Sequence, residues 1–504
     1  MVGDLSDRQR RYNAQLIDWS ARKGSYLWLV GILSAYAIIF LIYAETQAFA
    51  FDESYHLMAA RLIDSGRIPY IDFCFPQTPL NAYWNAGLMR LFGQNWHVPH
   101  AFAALFVIGA IFLTADFLYL YFPVSTWRLA VAIAGGLSVG LNKMVFEYGP
   151  LAQAYGVCLF LLVASFRLAV LAVNHRRSWV AAGVGFLAGA AAACSLLSAA
   201  GAPVLLVWMW FCNRAGSRWQ KCIAFCAASA IPFAPVFWLL WLGPRQTWFN
   251  LFQYHLKYRT LYWPDTTRHD LEVLTYWIDS GQCLLLGFLL VAGLIYLVRG
   301  SAWAREVKAE FYLCGFLALG LSAEAGRAHP TFSQYFLFAV PFFAIPAMAG
   351  MYRIGCLVFQ SDRPKLTAAL VAGFAAIALG KATYYEIKDT NSWGTYEKLA
   401  AKVDQVTPRD ALLFADEPIY FLTKRMPPPG YELYYTHEIK LPPADAKLFH
   451  ILYKDDLKTQ LASGMFATAY NCDDDEIDDY GLKKLYKQHV EMSDCSIFWD
   501  FNKK

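Results

Sequence analysis

The sequence predicts an all-α polytopic membrane protein of about eleven spanning helices, followed by a small C-terminal α/β domain. Three observations lead there. Hydrophobic residues make up 57% of the 504-residue chain and charged residues only 16%, where a soluble domain carries about 25% charged residues. Apolar runs recur along the chain, most of them close to the roughly 20 residues that a helix needs to cross a bilayer. After about residue 385 the pattern changes to short alternating segments separated by proline and acidic residues.

The spans are expected at about 26–44, 99–122, 127–143, 151–173, 179–196, 198–213, 221–242, 281–299, 311–325, 333–351 and 365–384. The first is long enough to remain as an anchor, and no cleavable signal peptide is evident. Basic residues set the orientation. They collect at Arg8, Arg10, Arg11, Arg22 and Lys23, and then on alternate connections: Arg176 and Arg177; Arg214, Arg218 and Lys221; Arg299, Arg305 and Lys308; Arg353, Arg363 and Lys365. An integral plasma-membrane protein with a cytoplasmic N-terminus is expected. The other face then receives a first loop at about 45–98, the segment at about 243–280, the turn AGRAHPTF and the C-terminal domain. The net charge of +4 is an orientation signal and no nucleic-acid patch. The chain thus divides at about 25 and 385 into a basic tail, a membrane body and an extracytoplasmic domain.

In that last part ALLFA, FHILY, MFATAYNC and SIFWDFN read as strands, with EPIYFLTKR and KDDLKTQLASG as helices. CDDDEIDDYG lacks the glycine and ligand spacing of a calcium loop and reads as a solvated acidic loop. Cys472 and Cys495 lie in this polar region, where an oxidising compartment allows them to form a disulfide. The other cysteines lie mostly within or beside apolar spans and act as small hydrophobes.

The first loop, FDESYHLMAARLIDSGRIPYIDFCFPQTPLNAYW, carries the most chemistry. Apolar residues from Glu53 to Ser65 recur at helical spacing and Gly66 ends the run, so a helix lying on the membrane is expected, with Asp52 at its N-cap. A second short helix is expected at about 79–91. The order of first span, FDESYH, Gly66, PYIDF and TPLNAYW resembles the GT-C glycosyltransferases that use lipid-phosphate-linked sugars, in the branch of bacterial envelope glycosyltransferases and protein mannosyltransferases. The small-residue run WVAAGVGFLAGAAAACSLLSAAGAPVLLVWMW and the late SQYFLFAVPFFAIPA are similar to that family's middle and late spans. The family's HPPL-type sequence is replaced here by PQTPL.

The resemblance implies an inverting transfer of sugar from a polyprenyl phosphate to a hydroxyl of a glycan, glycolipid or protein at the membrane surface. It gives Asp52 the part of general base, with Glu53 beside it to orient it, bind sugar or help hold a metal. Without the resemblance, Asp52 reads first as a helix cap. His56, four residues on and on the same helix face, is a sugar or phosphate contact or an interfacial anchor. Asp72 is a sugar ligand or a turn stabiliser; Glu147 and Tyr148 are candidates for the sugar or acceptor. Carrier phosphate needs cations, and Lys257 and Arg259 in LFQYHLKYRTLYWPD, with Arg327 and His329 further on, supply them unless they belong to an interfacial belt; Tyr335 is counted with them as a phosphate contact. A divalent cation, Mg or Mn, shared by Asp52, Glu53, Glu147 and His329 is an alternative to purely cationic side chains. A transporter or lipid flippase is the competing class. It calls for ionisable residues within spans, where Asp116 and Glu324 are the main acidic candidates, and for matched halves that the sequence lacks.

Overall fold

Inside a bilayer every backbone amide and carbonyl needs an internal partner, so long apolar runs have little choice but helix. The computed structural model describes residues 19–259, 266–300, 303–359, 363–386, 392–433, 439 and 441–502. Arg8, Arg10 and Arg11 of the expected basic tail lie outside them. Seven helices among the described residues are long and apolar enough to cross a membrane: Lys23–Thr46, His97–Tyr121, Tyr155–Ala172, Arg218–Leu242, Gly281–Arg299, Ser333–Val358 and Pro364–Tyr384. Two shorter apolar helices, Ser178–Cys194 and Leu196–Phe211, accompany them. The expected count of about eleven is therefore not reached on length and composition. The run expected at 127–143 stops as a 13-residue helix at Gly140, because Asn142 caps a separate short helix, Lys143–Tyr148. That expected at 311–325 lies within Arg305–Arg327, which intersperses charge among its apolar residues.

Close helix contacts use glycine. A Cβ at Gly350 would run into the Leu289 carbonyl and one at Gly293 into that of Pro346, so the two helices that carry them meet backbone to backbone. Asp116 is engaged by Arg167 at 2.5 Å and by the Tyr26 hydroxyl at 3.2 Å, an ion pair between helices and not an open transport acid.

The first loop folds into two helices, Phe51–Asp64 and Leu80–Phe92. The first ends at Gly66, whose φ of +92° suits a residue without a side chain. Its N-cap is Ala50 rather than Asp52: Glu53 N–H already donates to the Ala50 carbonyl at 2.9 Å, which places Asp52 inside the first turn.

The C-terminal domain holds a four-stranded sheet in the order β1-β2-β4-β3, with β1 Leu413–Phe414, β2 Thr468–Asn471, β3 Tyr486–Met492 and β4 Cys495–Phe501. The first pair is parallel and the others antiparallel. Cys472 and Cys495 form a disulfide with an S–S distance of 2.12 Å at the end of the β2–β4 ladder. Two expectations change. FHILY is no strand: His450 takes a φ of +56°, which breaks the extended run, and Phe449 instead stacks on Phe249 of the membrane body, rings 4.1 Å apart. The acidic loop contains a short helix, Asp474–Asp479, capped by Asp473.

Candidate active site

Asp52 and Glu53 are neighbours in sequence, but successive residues on a helix point about 100° apart. The consequence is a division of labour. Asp52 is exposed, and among the described residues its carboxylate takes no hydrogen bond or salt bridge. Protein nevertheless surrounds it closely enough that desolvation raises its pKa, against the opposing pull of the Arg259 guanidinium. The carboxylate is thus open to solvent on one side and partly desolvated by protein on the other.

Arg259 follows a π-helical segment, Phe249–Tyr258. It donates to the Tyr335 hydroxyl at 2.5 Å, and its guanidinium lies 5.2 Å from the Phe332 ring centre and 5.7 Å from that of Tyr335. Those aromatic faces fix a cation that remains protonated at any working pH. Tyr155, Tyr254 and Tyr335 all lie within electrostatic reach of Asp52. The site is thus one open carboxylate, one clamped guanidinium and three phenols. Its parts come from the first loop, the segment at 249–259 and the helix starts near 155 and 335.

Glu53 turns the other way and is 0% exposed. It pairs with His100 Nε2 and accepts from the Ala152 N–H at 2.5 Å and the Trp393 indole N–H at 3.1 Å. His100 Nδ1 in turn meets the Ala44 carbonyl at 2.8 Å. With both oxygens engaged in the interior, Glu53 does not face a substrate or a shared metal, and its expected place among the reacting groups gives way to an architectural one.

His56 sits one turn beyond Asp52. Burial pushes its pKa down to about 4, so it is neutral at pH 7, and its buried Nδ1 has no partner among the described residues. Its ring stands edge-on to Phe75 at 6.0 Å. Asp72 lies on the surface and accepts from the Ile68 N–H at 2.7 Å, the turn-stabilising arrangement. Glu147 lies 3.7 Å from Lys143 on its own short helix, and Tyr148 reaches the cluster through Tyr155, ring centres 6.3 Å apart.

Of the expected phosphate ligands, only Arg259 and Tyr335 converge on Asp52. Lys257 is exposed with its ammonium 5.3 Å from the Tyr258 ring. Arg327 is exposed at a helix end, and His329 is tied to Asp270 at 2.5 Å. Asp270 also receives the Thr331 N–H at 2.7 Å. Both belong to the stretch leading into Phe332 and Tyr335, so they border the Arg259 clamp without entering it. Among the described residues no group of three or more His, Cys, Asp or Glu is placed to hold a metal. Asp52, Glu53, Glu147 and His329 do not assemble one, so a shared cation does not fit these residues.

Sequence reasoning missed Tyr155, Tyr254, Phe332, His100 and Trp393. Tyr254 and Phe332 stood inside the stretches LFQYHLKYRTLYWPD and AGRAHPTF already singled out; the others lack any local mark that separates them from belt or core residues.

No family model matches the sequence, and no curated protein matches it. Solved structures do. ArnT from Cupriavidus metallidurans bound to undecaprenyl phosphate superposes with a TM-score of 0.65 at 12% identity, over 94% of this chain and 97% of that one. Its apo state gives 0.66 at 12% identity over 95% and 98%. The archaeal oligosaccharyltransferase AglB from Archaeoglobus fulgidus, in complex with an inhibitory peptide and a dolichol-phosphate, gives 0.47 at 12% identity over 79% and 64%. At these identities the likeness to ArnT is one of fold. The chain is an integral membrane protein with the GT-C fold that its first loop and span layout led one to expect.

Proposed function

We propose that this protein is an inverting glycosyltransferase. It moves a sugar from a polyprenyl-phosphate-linked donor to a hydroxyl of an envelope glycan, glycolipid or protein on the outer face of the membrane. The observation that carries the reading is the open Asp52 carboxylate set within electrostatic reach of the clamped Arg259. A fold shared with a protein crystallised with undecaprenyl phosphate supports it.

The chemistry follows from those two groups. The acceptor oxygen attacks the anomeric carbon from the face opposite the phosphate, the bond from that carbon to the phosphate oxygen breaks, and the configuration inverts. The proton lost by the hydroxyl passes to Asp52. Desolvation suits Asp52 to this, since a raised pKa makes its carboxylate a better base. Charge collecting on the departing polyprenyl phosphate is met by Arg259, whose planar donors match phosphate oxygens. Neutral His56 and the phenols of Tyr155 and Tyr254 are left for uncharged hydroxyl groups of the sugar or acceptor.

Deleting the gene should cause one polyprenyl-phosphate sugar to accumulate and one glycan product to disappear, read by mass spectrometry of membrane lipids and envelope glycans. An unchanged lipid-linked pool and glycan profile would remove the reading. Arg259→Met should lower kcat by about 100-fold, the scale of losing one charge-stabilising donor. Its pH profile adds a sign. Arg259 lowers the Asp52 pKa, so its loss raises that pKa further. Asp52 acts as a base only when ionised, so the acid limb of kcat should move to higher pH. A limb that stayed in place, or moved down, would separate the two residues.

A further inference from the structure

Asp52 presents a physical problem: nothing among the described residues bonds to its carboxylate directly. A general base has to stand within hydrogen-bond reach of its substrate, so its position must be set by the backbone on either side. Both flanks lead to the same place. Three residues before Asp52, Phe49 stacks on Tyr396 with ring centres 4.9 Å apart and meets Trp393 edge-on at 5.6 Å. One residue after it, Glu53 accepts the Trp393 indole N–H. Trp393 and Tyr396 open the first helix of the C-terminal domain, Trp393–Val406, which Ser392 caps.

That helix is itself held to the body. Trp393 lies flat against Trp96, 5.5 Å and 9° from parallel, and the Trp96 indole donates to Glu397 at 3.0 Å. The far end of the Asp52 helix meets the same domain: Arg61 donates to the carbonyls of Tyr420, Lys424 and Arg425, and Arg67 pairs with Glu432 at 2.9 Å.

We infer that Trp393 and Glu53 form a positioning latch, through which docking of the C-terminal domain holds Asp52 in its working place. The inference rests on the function proposed above. Neither residue touches substrate; each acts through the first turn of the Asp52 helix. The domain is then a working part of the site rather than a cover over it.

Trp393→Phe tests this in the full-length protein, since it removes the N–H and keeps an aromatic ring against Trp96. Backbone amide exchange in the segment 49–58 should rise at least tenfold, while exchange in 128–140 stays as in the wild type. Affinity for undecaprenyl phosphate should remain within twofold, and product formation in cells should fall about tenfold. Unchanged exchange at 49–58 would overturn the inference, and so would a tenfold loss of undecaprenyl phosphate affinity, which would make Trp393 part of binding. If Trp393→Phe fails to accumulate, Glu53→Gln takes its place: it turns the charged acceptor of the indole N–H into a neutral amide, so exchange at 49–58 should rise, by less than in Trp393→Phe, and unchanged exchange would overturn the inference in the same way. Asp52→Asn is the separate control. If that variant remained active, the functional reading would fall whatever the exchange data showed.

Discussion

Asp52→Asn should lower sugar transfer by about 10²–10⁴-fold, the usual contribution of a positioned proton acceptor, with the protein still present in the membrane at wild-type level. Both halves of that expectation come from the same observation. The carboxylate is exposed and takes no bond among the described residues, so an isosteric amide breaks no contact and fills no new space. Stability should hold, and only the ability to take a proton is lost. The effect should fall on kcat, because an acceptor hydroxyl meets the base fully in the transition state. Thermal unfolding in detergent and turnover of the lipid-linked sugar identified by the deletion strain check the two halves separately. A variant with wild-type unfolding and turnover within threefold of wild type would make Asp52 a surface residue of the first turn. A variant that loses stability as well would reveal a structural task that this geometry does not give it.

The contrast between Asp52 and Glu53 shows what a sequence can and cannot say about such a site. FDESYH marks the turn where a polar helix starts behind a membrane span, and that much was legible: the helix is there, and Gly66 ends it. Which of two adjacent carboxylates faces outward depends on the rotation of the helix against its neighbours. That rotation is fixed by Ala152, His100 and Trp393, which lie 99, 47 and 340 residues away in sequence. Arg259 illustrates the same limit. LFQYHLKYRT offers His255, Lys257 and Arg259 as cations, but only tertiary packing turns His255 to the Pro76 carbonyl, leaves Lys257 at the surface and sets Arg259 against Phe332 and Tyr335. The C-terminal sheet divides likewise. Apolar SIFWDF announced its strand, whereas YKQHVEM is too polar to read as one and gains its place by pairing with β4.

Glu53→Ala should cost about 3–5 kcal/mol of stability, the scale for removing one partner of a buried charged pair. It should appear as a large fall in unfolding temperature or as protein lost from the membrane. Three groups are stranded at once: the His100 ring, the Ala152 amide and the Trp393 indole, all buried and all directed at a space that alanine leaves empty. Glu53→Gln should cost less, because its amide oxygen can still accept from Trp393 while its NH2 group faces a His100 nitrogen able to lose its proton, and only the Ala152 N–H, which shares one carboxylate oxygen with His100, loses its acceptor. The comparison separates packing from charge. Equal damage from both substitutions would mean that the carboxylate's charge holds the hub together, and a mild Glu53→Gln that hydrogen bonding suffices. A mild Glu53→Ala would contradict the architecture itself, since three converging donors from separate parts of the chain would then have no need of the group they surround. Paired with an Asp52→Asn variant that is stable and inactive, a destabilised Glu53→Ala would assign chemistry to the first carboxylate and structure to the second.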